Sequence, residues 1–163
     1  MRNVVPQHEL DRVDRAIVSR LQVDGRLPNV DLADAVSLSP SACLRRVRAL
    51  EASGIIAGYR AEVDRVRSGL GLTVFLDLRV EGQSKETADQ IERALRSIPA
   101  VVAAYVVSGA ADFMVEVTVP DLASYEELLL NQILAIGSVA SAQSRFAIRT
   151  VLSRGPLPLD HWR

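Results

Sequence analysis

The stretch Asn29–Tyr59, NVDLADAVSLSPSACLRRVRALEASGIIAGY, decides how this chain is read. Leu32, Ala33 and Val36 mark a short amphipathic helix with Asn29 as its cap, ending near Ser37-Leu38. A tight turn leads to a second helix. Ser39 caps it and Pro40 takes the first helical position, where a missing N–H costs nothing. Gly54 ends it, and Ile55-Ile56-Ala57-Gly58-Tyr59 reads as a short strand or wing. On a wheel of about 100° per residue, Cys43, Val47 and Leu50 form the inward stripe. Ser41, Arg45 and Arg48 lie opposite, with Arg46 at the edge of the stripe. The small residues Ser39, Ser41 and Ala42 let the helix start approach a groove of double-stranded DNA. Guanidinium groups a turn later reach base edges, with Arg46 and nearby amides holding phosphates. The plain alternative is a solvated face whose arginines pair with Glu51 or its neighbours. The agreement of helix, turn and wheel favours DNA reading.

Upstream, Leu10, Val13, Ile17 and Leu21 form one buried helical stripe. Asp11 caps that helix, Asp14 sits at its third position, and Gly25 stops it. Residues 1–59 are thus expected to form a winged helix-turn-helix domain. Net charge over the whole chain is −1, so positive charge is local: residues 1–65 carry ten basic and nine acidic side chains, residues 66–163 nine and eleven. A domain so close to neutral needs several copies of its arginine cluster to hold DNA firmly.

Composition sets the outer bounds. The 163 residues are 48% hydrophobic and 24% charged, as in ordinary folded domains. No apolar run reaches the roughly 18 to 20 residues of a membrane span. MRNVVPQHELDR lacks the apolar core of an export signal, which points to the cytoplasm. Cys43, the single cysteine, cannot form an internal disulfide and reads as a small buried apolar residue. His8 and His161 have no ligand-like spacing, so neither metal nor cofactor is expected.

Residues 60–71, RAEVDRVRSGLG, read as a linker. Beyond it the periodicity alternates between strand and helix. Leu72–Val80 alternates as a strand, Lys85–Ile98 has helical spacing, and Val101–Val107 and Phe113–Val119 are strands around Ser108-Gly109-Ala110-Ala111-Asp112. Asp121 caps a helix Leu122–Leu134, and a last strand pair is expected between Val139 and Leu152. The order βαββαβ is the ferredoxin-like split motif, giving an α+β chain whose second domain spans residues 72–163. Its bare sheet face calls for a second copy, hence at least a homodimer. The end of the chain, RGPLPLDHWR, reads as a peripheral tail in which Trp162 is a loose end.

These pieces together resemble the Lrp/AsnC family of transcriptional regulators. The segments LDRVDRAIVSRLQVDGR, LADAVSLSPSACLRRVRALEASGIIAGYRAEVD, GLGL, IPAVVAAYVVSGAADFMVEV and DLASYEELLL carry the resemblance, from about Leu10 to Leu152. It implies an N-terminal helix-turn-helix, a ferredoxin-like effector domain, dimers through the sheet and often a ring of four dimers, an octamer. It also implies an amino acid or related small molecule bound between neighbouring dimers. The Ser108–Asp112 loop then offers backbone N–H groups to a carboxylate, with Asp112 at the family's acidic position. The final strand lines the same cleft. Where the family often has two threonines, this chain has Ala142 and Ser144, so one hydroxyl is missing. A plain tight turn, with Asp112 bonding backbone amides, is the competing reading of that loop. Two rival readings stand beside it: an architectural protein that compacts DNA with little sequence preference and, among proteins of this two-domain layout, the decarboxylation of tetrapyrrole precursors. The second needs proton donors that a chain without histidine between His8 and His161 does not offer.

Overall fold

The computed structural model describes residues 10–82 and 84–159; the readings of His8, His161 and Trp162 fall outside them. The chain divides into two compact units, Met1–Glu62 with Leu152–Arg163, and Val63–Val151.

The first unit holds α1 (Arg12–Val23), α2 (Asn29–Ala35) and α3 (Pro40–Ala52). Asp11 caps α1, its carboxylate accepting the N–H groups of Val13 and Asp14 at 2.8 Å each. Ile17, Leu32, Ala33, Cys43 and Leu50 form the buried centre, and Leu21, Val36 and Val47 pack around it. Burial pushes the Cys43 thiol pKa up, in keeping with a packing role.

Two local expectations give way here, and a third holds in part. Asn29 lies inside α2; Pro28 is the cap, without a side-chain bond. The Asn29 amide instead donates to the Pro40 carbonyl at 2.8 Å, joining the starts of α2 and α3. Gly25 follows the Asp24 cap of α1, as expected, but without the left-handed φ of a terminating glycine. A Cβ at Gly25 would stand 3.2 Å from the Tyr59 ring, so the position is a gap for an aromatic edge. Finally, Ile55–Tyr59 forms no strand. Gly54, at φ 77°, turns the chain, Ile56 N–H bonds the Leu50 carbonyl, and Ile55 and Ile56 close the helical core.

In the second unit, β1 (Leu72–Val80), α4 (Lys85–Ser97), β2 (Val101–Val106), β3 (Phe113–Val119), α5 (Leu122–Leu128) and β4 (Val139–Phe146) follow the expected order. The antiparallel sheet runs β2-β3-β1-β4. Val74, Leu76 and Leu78 of β1 are buried in one core with Ile91 and Leu95 of α4 and Leu128 of α5. Alternation sends Phe75, Asp77 and Arg79 to the other face.

The helix expected to reach Leu134 does run to Ile133, but its last part changes type. After α5 a wide π turn, Leu129–Ile133, takes over, with the Leu134 N–H bonded to the Leu129 carbonyl. That extra width puts Leu128 and Ile133, five residues apart, into the same core. In place of a last strand pair, β4 alone forms, and regular pairing ends near Ala147. The linker is anchored rather than free in its second half. Arg65 reaches Thr73 Oγ1 at 3.1 Å and Glu116 Oε1 at 2.7 Å, pinning its turn to the open sheet face.

Candidate functional site

The outer face of α3 is prepared by its own first turn. Ser39 Oγ accepts the Ala42 N–H at 3.3 Å and lies 3.2 Å from Ser41 Oγ. Ala42 is half-buried, while Ser41, Arg45 and Arg48 are exposed. Among the described residues neither Arg45 nor Arg48 has an ion-pair partner. Glu51, the partner the plain reading needed, instead accepts from the Tyr59 hydroxyl at 3.0 Å.

Arg46 is engaged within the unit itself. Its Nη1 lies 2.6 Å from Asp11 Oδ2 and 2.8 Å from Asp14 Oδ1, so the guanidinium already joins α3 to α1. The Asp14 backbone N–H, aided by Arg46, holds the Asp11 carboxyl below the usual carboxylate range. Bonds to Asp14 and Asp11 in turn raise the Arg46 pKa. The wheel had put Arg46 at the edge of the buried stripe, which is why α1 can reach it.

The 108–112 loop has used much of its polarity internally. Gly109 turns it at φ 120°. Asp112 Oδ2 accepts the Val80 N–H at 2.9 Å, and Asp112 N–H donates to the Leu78 carbonyl at 2.9 Å. This is the bonding of the plain-turn reading. Ser108, Gly109 and Ala110 remain exposed. Beside them opens a pocket of about 270 Å³ lined by Ala110, Ala111, Asp77, Arg79, Ser141 and Gln143.

Ala142 and Ser144 are not part of that pocket. They pair with Leu78 and Leu76, on the helix-covered face of the sheet. The Ser144 hydroxyl bonds that of Tyr125, whose ring meets Phe146 edge-on at 5.4 Å. Burial raises the Tyr125 pKa. Within one chain, therefore, β4 turns Ser141 and Gln143 toward the loop's pocket. Sequence reasoning passed over Asp77, Arg79, Ser141 and Gln143. Alternation along β1 and β4 was the available signal, but it needed the strand register.

Among the described residues no cluster of three His, Cys, Asp or Glu is placed to hold a metal. No described helix is long and apolar enough to cross a membrane. A helix-turn-helix with a free arginine face, joined to a split βαββαβ sheet with a polar loop pocket, defines a two-domain regulator of the DNA-binding class.

Comparison with known proteins agrees. Residues 10–51 match the AsnC-type helix-turn-helix domain and residues 73–157 the Lrp/AsnC ligand binding domain. The Bkd operon transcriptional regulator of Pseudomonas aeruginosa is 39% identical, over 93% of this chain and 99% of its own length. The leucine-responsive regulatory protein of Escherichia coli is 34% identical, over 90% and 89%. A transcriptional regulator of Neisseria meningitidis, solved as its L-methionine complex, superposes with a TM-score of 0.89 at 32% identity, covering 93% of this chain and 98% of its own. The chain belongs to the Lrp/AsnC family of transcriptional regulators.

Proposed function

We propose that this protein is a sequence-specific cytoplasmic regulator, not an enzyme, that binds operator DNA as a dimer or larger ring and responds to an amino acid or related metabolite. The observation that carries the reading is the pair Arg45 and Arg48, exposed and without an ion-pair partner among the described residues, beside Ser41 on a helix fixed from behind by Arg46. These three side chains face the major groove, and two copies meet half-sites about one helical turn or a multiple apart. Multivalency compensates for the chain's near-neutral charge.

The effector reading rests on the exposed loop residues Ser108–Ala110 and the neighbouring pocket, which Ala110 and Ala111 help to line. Loop amides and Arg79 suit a carboxylate; Asp77 already holds Arg145 at 2.7 Å, so a ligand ammonium has to displace that arginine. Asp112, Ala142 and Ser144 shape the site from behind. The test is mobility-shift titration on duplexes selected from random sequence by the wild-type protein, repeated with L-leucine and L-methionine. Arg45→Ala is expected to weaken specific binding by about 1–3 kcal/mol. Unchanged binding sinks the assignment.

A further inference from the structure

The segment after β4 divides its allegiance. The ligand-binding domain match runs to residue 157, yet the described residues from Leu152 to Leu159 belong to the helical unit. The chain therefore passes between the two units twice, once after Glu62 and again after Val151.

The second passage ends in a specific grip. Leu157 N–H donates to Gln22 Oε1 at 2.6 Å, and Gln22 Nε2 donates to the Leu157 carbonyl at 3.2 Å. One carboxamide thus satisfies both backbone groups of one residue, as a neighbouring strand would. Pro156 and Pro158 flank it. Proline fixes φ and favours an extended, polyproline-like backbone, so little chain entropy is lost on docking. Leu159 packs against the helical core, while Leu157 as a whole stays 71% exposed. The grip is on main chain. Gln22 lies on α1, whose Asp11 and Asp14 hold Arg46 of α3, so two links connect the segment to the DNA-reading helix.

We propose that Pro156–Leu159 is a detachable clasp that restrains the helix-turn-helix unit and so sets which half-site spacing the protein accepts. A unit held by one linker samples a wide range of positions, and a second tether removes most of them. Two partly exposed hydrogen bonds and one half-buried leucine make a reversible hold. The clasp rests on the DNA-binding reading above.

The test uses the full-length protein, Gln22→Ala and Leu157→Pro. Gln22→Ala deletes both bonds and suits a helix. Leu157→Pro deletes one N–H donor at an exposed residue between two prolines, so folding is not at stake. Fluorescein-labelled duplexes carry two half-sites selected by the wild type, either at the selected spacing or with about five base pairs, half a turn, inserted. The wild type is expected to lose more than about tenfold in affinity on insertion, and both variants less than about threefold. Amide exchange over residues 152–159 should rise in Gln22→Ala while that of β1 stays the same. Equal spacing penalties in all three proteins overturn the clasp and leave DNA reading standing. A wild type that binds neither duplex overturns both.

Discussion

On α3, Arg45 and Arg48 project from a helix whose capping and packing are completed by other residues: Ser39 at the start, Cys43 and Leu50 underneath, Arg46 at the side. Around the 108–112 loop the arrangement is reversed. The residues that look like ligand contacts are the ones holding the fold, Asp112 through Val80 and Ser144 through Tyr125. A helix separates its two roles by angle, so a surface can be free while the opposite face is buried. A turn between strands has no such spare face, and its polar groups bond locally first.

That contrast can be broken by mutation. The largest effect belongs to Arg45→Ala combined with Arg48→Ala. Specific DNA affinity should fall at least about 100-fold, with the thermal midpoint nearly unchanged. A matching drop in stability would mean the face is structural after all. Asp112→Ala should do the opposite, costing about 1–3 kcal/mol of stability because the Val80 N–H loses its acceptor. Chemical denaturation measures this, and Asp112→Asn, which keeps an acceptor, should recover most of the loss. Tyr125→Phe comes next, at about 1 kcal/mol, and it releases the Ser144 hydroxyl. Calorimetry with L-leucine and L-methionine should show unchanged binding, since Ser144 lies on the face opposite the loop pocket.

The smallest effect is a pH dependence. The folded state depresses the Asp11 pKa, so its stabilisation is complete above the ordinary carboxylate value of 3.8 and fades as pH falls through the lower folded value. Asp11→Asn should flatten this acid limb of the stability curve. An unchanged limb would assign it to other carboxylates.

The same contrast explains what sequence could reveal. Helical periodicity located α1, α3 and α4 nearly to the residue, and the wheel separated Arg45 and Arg48 from Cys43 and Leu50 before any coordinates. Strand periodicity located β3 at Phe113–Val119. What escaped depends on partners distant in sequence. The wheel set Arg46 apart at the edge of the stripe, but its partners Asp11 and Asp14 lie more than 30 residues away in sequence. Which of Ser141–Ser144 face the loop follows from the register against β1, which β4's own sequence does not contain. The wing failed for a related reason: Ile55 and Ile56 are β-branched, but the helical core had room for them.

The gap at Gly25 has a consequence for the history of such sequences. A single methyl group there meets Tyr59 at 3.2 Å, so the choice of residue at one position narrows the choice at the other. Among descendants of this chain, substitutions at 25 and 59 should tend to be inherited as pairs. A lineage that gains alanine at 25 is expected either to displace the half-exposed Tyr59 ring by a few tenths of an ångström or to exchange it for something slimmer.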